Sequence, residues 1–178
     1  PNLVQNQVRF AANEAVSKPW AVRYWKKLED RVKRILQTEG DLAGLVLRMF
    51  LGVVFFPHGA QKMLGWFEGH GFSGTMGFFT GSGIPWVFAF LAIVAEFFGA
   101  LGLISGLLTR IAAFGIGVVM AVATTMHLQN GFFMNWSGKQ AEEGFEYHLL
   151  AIAIAVALMI RGGGRWSVDG IISGRTER

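Results

Sequence analysis

Seven ionisable side chains stand within or at the edges of long apolar runs: Arg48, His58, Lys62, Glu96, His127, Glu146 and His148. In a low-dielectric setting such groups are costly, so each must find a partner or serve a purpose. His58 and Lys62 are four residues apart and share one helical face. His127 closes one apolar run and Glu146 opens the next. With a helical rise of ~1.5 Å per residue, His58, Lys62, His127 and Glu146 come to one level, and a polar pocket among them is expected. Glu146 and His148 point ~200° apart on a helix, so only one faces inward squarely; Glu146 is the expected one. Trp66, Phe132 and Trp136 would roof the pocket. A quinone headgroup suits such a place, because its carbonyls need donors and an imidazole or carboxylate can pass protons on reduction. The same histidines could instead ligate haem or a metal, but no specific ligand spacing favours either, and no metal site is expected. The plainer alternative is that they only hydrogen-bond to lipid headgroups.

Two further charges lie deeper. Glu96 is about 15 Å along its run from Trp86, and Arg48 about 9 Å from the start of its own. An extended arginine could cover the remainder, so a buried Arg48–Glu96 ion pair is expected. It would act as a clamp on helix register, or alternatively in proton or substrate handling.

The elements that position these residues follow from composition. The chain has 178 residues, 52% apolar and only 16% charged, with mean hydropathy +0.41, well below the ~25% charge of soluble domains. That excludes a disordered chain. Cysteine is absent, which excludes disulfides, thiolate metal sites and cysteine nucleophiles. Runs 42–64, 86–106, 110–128 and 145–160 are apolar on every face and long enough, the last only just, to cross ~30 Å of hydrocarbon. The expectation is an all-α fold, a four-helix transmembrane bundle. Eight of the 16 Lys and Arg precede residue 41 and four follow residue 160. This basic collar argues for a bilayer rather than nucleic acid, and predicts a bacterial-type inner membrane with both termini cytoplasmic. The first apolar run begins too late for a secretory signal.

Residues 1–41 form a basic segment, 42–173 the membrane domain and 174–178 a tail. Within the first, 19–37 reads as an amphipathic interfacial helix, capped by Ser17, with Ala21, Trp25, Leu28, Val32 and Ile35 on one face and basic residues opposite. Packing on a partner subunit would suit the same pattern. The glycine- and aromatic-rich stretch 65–85 reads as a short interfacial or re-entrant element. Gly99, Gly102 and Gly106 in the second run, and Ala113, Gly117 and Ala121 in the third, allow close helix approach. The triple glycine 162–164 lacks the strand and lysine of a phosphate loop.

Arg48, Gly52, His58-Gly59 and Lys62-Met63-Leu64-Gly65 resemble the first span of the DoxX family of four-helix membrane proteins. Ala95 to Ala100 with Gly106 to Arg110, Met126-His127-Leu128, Gly131-Phe132-Phe133, Phe145-Glu146-Tyr147, and Gly162 to Arg165 with Ser167 and Asp169 are similar to its later motifs. The resemblance covers about 42–173 and leaves out residues 1–41. It implies a link to quinone-associated oxidation, including subunits of thiosulfate:quinone oxidoreductase, and to oxidative-stress complexes, though fold-level analogy assigns no reaction. Two readings result. One is an integral subunit of a quinone-linked oxidoreductase with a quinone- or proton-handling pocket at the outer face. The other is an accessory or assembly subunit without chemistry, so whether the chain is itself an enzyme stays open. A bilayer and other membrane subunits are the expected partners. A transporter is disfavoured, because no matching broken helices suggest inverted repeats.

Overall fold

The computed structural model describes residues 19–38 and 40–174. The proposed Ser17 cap and the cations Arg9, Lys18, Arg175 and Arg178 lie outside these residues. The chain divides into two compact units, residues 1–35 and 36–178. The described residues of the first form helix α1, Pro19–Leu36, which extends one residue into the second unit. Along α1, Glu29 and Lys33 pair at 2.6 Å, one helical turn apart. Both are open to solvent, and the Lys33 ammonium holds the Glu29 carboxyl below its usual range.

The second unit is a helix bundle. Helix α2 is Leu42–Leu64, α3 Gly71–Gly81, α4 Trp86–Ser105, α5 Thr109–His127, α6 Glu146–Arg161 and α7 Val168–Ile172. The expected apolar runs match α2, α4, α5 and α6 to within a residue at each end. Their starts have local causes. The Asp41 carboxylate accepts from the Gly44 N–H at 2.6 Å and caps α2, satisfying one orphan donor of its first turn. Pro85 precedes α4, where its missing N–H costs nothing. Three helices are long and apolar enough to cross a membrane: α2, α4, and α5 continued by a 3-10 turn to Asn130. Helix α6 has 16 residues, about 24 Å of rise, somewhat short of a full hydrocarbon core.

Small residues set the spacing. A Cβ on Gly59 would lie 2.6 Å from the Phe97 Cα and 2.8 Å from the Glu96 carbonyl carbon, so α2 and α4 touch backbone to backbone beside Glu96. Such contact replaces the hydrophobic drive that lipid cannot supply. Gly117 lies opposite Ala155 and joins α5 to α6. Between these helices Leu51, Phe55, Leu103, Ile116, Met120 and Leu158 form the main core. The stretch expected to be interfacial or re-entrant holds the regular helix α3, whose Met76 packs with Ala89 and Ile93 in a second core.

Candidate functional site

The bundle has two ends of different chemistry. At one end the start of α2, the α4–α5 turn and the C-terminal segment meet in a knot. At the other lie the long connections 65–85 and 128–145, here called the loop end.

Arg48 belongs to the knot and is 2% exposed. Its Nε donates to the Gly163 carbonyl at 2.8 Å. Nη1 donates to Leu103 at 3.0 Å and Ile104 at 2.6 Å, and Nη2 to Trp166 at 2.9 Å and Arg165 at 3.3 Å. All five guanidinium N–H groups therefore have carbonyl acceptors. The expected Arg48–Glu96 pair does not form. Leu103 and Ile104 carry carbonyls of the last turn of α4, partially negative and level with Arg48. Glu96 lies seven residues before Leu103, about 11 Å further along the helix. The acceptors at hand take the guanidinium.

Asp169 mirrors this arrangement. It is 1% exposed, and its two oxygens accept from Leu108 N at 2.7 Å and Thr109 N at 2.8 Å. It caps the start of α5 from sixty residues downstream. The turn between is tight: Gly106 has φ 70° and Leu108 φ 50°, and a Cβ on Gly106 would meet the Ser167 Cβ at 2.6 Å. Thr38 accepts from Gly164 N at 2.6 Å, and Arg110 bonds the carbonyls of Gln37 and Met159. Arg161 pairs with Asp41. The arginines and glycines around residue 163 belong to the closing motif of the resemblance; the capping role of Asp169 has no signal in the sequence, because its partners are backbone N–H groups.

At the loop end Glu96, buried within α4, meets Lys62 at 2.5 Å. His58 lies one turn before Lys62, its ring edge-on to Phe55 at 6.4 Å, and the charges of Lys62 and Glu96 both act on it. Tyr147 stands in the first turn of α6, and its buried hydroxyl has no hydrogen-bond partner among the described residues. The Tyr147 ring meets His148 at 5.8 Å, and His148 in turn lies over His127 at 4.7 Å with the planes 35° apart. His127 Nδ1 is 2.8 Å from the Ala123 carbonyl. A carbonyl can only accept, so Nδ1 carries the proton and Nε2 is left to accept another.

The choice of Glu146 as the inward residue is corrected. His148 faces in, 8% exposed. Glu146 turns to the loop and accepts from Met134 N at 2.9 Å and Trp136 Nε1 at 3.0 Å. The loop folds back over the start of α6 and offers donors that helical phase alone does not reveal. Nor do the aromatics form one roof. Trp66 contacts Phe56 and Phe67, Phe132 contacts Phe133 and Phe145, and Trp136 is 82% exposed. A concavity of about 590 Å³ opens beside them, lined by Met126, Gln129, Phe132, Phe133, Gln140 and Glu142 among others. Of the expected site residues, Phe132 alone is among its lining. Among the described residues, no three of His, Asp and Glu gather as a metal site requires.

These features define a multi-pass membrane helix bundle with a carbonyl-coordinated arginine at one end and a row of titratable side chains at the other. The chain belongs to the DoxX family. Residues 43–129 match the family model for DoxX. Over 120 residues it is 32% identical to "Putative oxidoreductase CatD" of Bacillus subtilis (strain 168), an alignment covering 66% of this chain and 79% of that relative. No solved structure matches.

Proposed function

We propose that this DoxX protein is an integral subunit of a quinone-linked oxidoreductase, handling quinone or its protons at the loop end. The observation that carries the reading is the row Lys62–Glu96, Tyr147, His148 and His127, in which Glu96 and His148 are buried and the other three half-buried. Reduction of a quinone takes up two electrons and two protons. A partner subunit supplies the electrons, and the row supplies hydrogen bonds and a proton route. Tyr147, with a buried and unpartnered hydroxyl, can donate to a quinone carbonyl. His127, with Nε2 free to accept, can take a proton from the loop side, and His148, whose buried Nδ1 has no hydrogen-bond partner, offers a second place for one. Glu146, Phe132 and Trp136 then order the mouth of the site, with Trp66 and His58 on the α2 side. The name of the Bacillus relative supports an oxidoreductase context. In this reading α6 crosses the bilayer as a fourth span, and the basic residues place both termini on the cytoplasmic side of an inner membrane.

The accessory-subunit reading has its own support: Lys62 and Glu96 neutralise each other, as a structural pair would. One experiment separates the two. Solvent extraction of the purified membrane complex, with quinone quantified in the native protein and in His127→Ala, should show stoichiometric quinone lost in the variant. Assembly and electron transfer unchanged in His127→Ala and in Tyr147→Phe would leave the accessory reading standing.

A further inference from the structure

We propose that α1 is a binding surface for anionic lipid, lying in the headgroup plane of a negatively charged leaflet. With ~100° of turn per residue, Tyr24, Trp25, Leu28, Val32 and Ile35 fall within a sector of about 100°. The large side chains of that sector are exposed, with Trp25 at 54% and Val32 at 45%, around the small Ala21, which is 3% exposed, and Trp20 flanks it at 61%. An uncovered stripe of this size on a helix marks an interaction face. Its chemistry identifies the partner. Arg23, Lys26, Lys27, Arg31, Lys33 and Arg34 occupy the rest of the circumference against only Glu29 and Asp30, a net charge of +4 over eighteen residues. Five of these cations, with Asp30, border one shallow concavity on the polar side. Glu29 is already paired to Lys33.

Arg31 borders one edge of the apolar stripe and Lys33 follows Glu29 beyond the other, so long side chains can reach outward to phosphates while the stripe sinks into the acyl boundary. The ring residues Trp20, Tyr24 and Trp25 suit the headgroup level, where one edge is wet and the other apolar. A soluble protein groove would match the apolar stripe but leave most of the six cations without counter-charge. An anionic leaflet satisfies both at once. Residues 37–41 tether α1 to helix α2, itself long and apolar enough to span. Five residues extend over at most about 18 Å, so α1 is held at high local concentration beside a membrane surface.

The test uses the full chain, whose lack of cysteine permits single reporters. A nitroxide is placed at Leu28→Cys or at Asp30→Cys, some 160° away on the helix. Each protein is reconstituted in phosphatidylcholine vesicles with or without phosphatidylglycerol, and collision with oxygen and with a water-soluble relaxant is measured. The expected result is a lipid-buried label at Leu28 and a water-exposed label at Asp30 in the anionic vesicles. The Leu28 signal should return to water in phosphatidylcholine alone and at ~1 M salt, where charge interactions are screened beyond about 3 Å. Arg23→Gln, Lys27→Gln, Arg31→Gln and Arg34→Gln together should lower docking more than a hundredfold, at roughly fivefold per cation. Water exposure of both labels on anionic vesicles would overturn the proposal. So would a Leu28 label shielded from both relaxants, which would assign the stripe to a protein partner. Equal burial of Leu28 with and without phosphatidylglycerol would overturn the anionic requirement.

Discussion

The two ends of the bundle use ionisable residues in opposite ways. In the knot, Arg48 and Asp169 bond mainly to backbone: the guanidinium meets five carbonyls, with the Met49 sulfur at 3.7 Å besides, and two carboxylate oxygens meet two N–H groups. At the loop end, side chains meet side chains: Lys62 with Glu96, His127 with His148, and a Tyr147 hydroxyl with no partner. Backbone groups cannot change protonation, so charges bound to them are fixed. Titratable groups facing one another can exchange a proton. Charge within a membrane therefore marks assembly in one region and potential chemistry in the other.

The largest effect should come from breaking the knot. Arg48→Met leaves five carbonyls without their donor and Asp169 without a neighbouring cation, and should cost about 3–5 kcal/mol of stability. Thermal unfolding in detergent measures this directly. Arg48→Lys should rescue little, because an ammonium has three donors and no planar fork.

Glu96→Gln comes next, at about 1–3 kcal/mol, since Lys62 keeps some access to solvent and can be hydrated. The double change Lys62→Met with Glu96→Leu should restore the melting temperature but not quinone-linked turnover. Recovery of turnover in that double variant would make the loop end a second clamp and erase the contrast.

His127→Ala should alter stability by less than about 1 kcal/mol while abolishing quinone retention. Glu146→Gln should leave global stability unmoved and act on the loop alone, since glutamine keeps an oxygen acceptor for Trp136 and Met134. About 0.5–1.5 kcal/mol of local loop stability should be lost, visible as faster amide exchange at Met134 with unfolding temperature unchanged.

Much of the architecture was legible because its causes are local. Apolar runs bounded by Asp41, Pro85, Gly106 and Gly162 carry their own limits, and the boundaries of α2, α4, α5 and α6 follow from them. The site was legible only in part. That Lys62 and His127 stand in the last turns of α2 and α5 could be read from spacing, but not that they meet Glu96 and His148. The partner of Arg48 could not, since backbone carbonyls carry no letter in a sequence and every helix end offers four. The exchange of Glu146 for His148 has a similar origin: the donors that turn Glu146 outward belong to a loop whose return path no periodicity encodes. Tyr147 was visible only as part of a family motif, because a tyrosine in an apolar run looks like core until its hydroxyl is located.

The knot also carries a consequence for biosynthesis. Arg48 and its acceptor Gly163 are 115 residues apart in the chain. At ~5–20 residues per second, the ribosome delivers Gly163 about 6 to 23 s after Arg48. For about the first half of that interval the end of α4 is itself unmade; for the rest it is all the guanidinium has to bind, and the α4–α5 turn lacks the carboxylate that closes it. Residues 163–169 thus act as a completion signal. A nascent chain stalled or cleaved before them leaves Arg48 without three of its five carbonyl acceptors, and Leu108 and Thr109 without the Asp169 carboxylate.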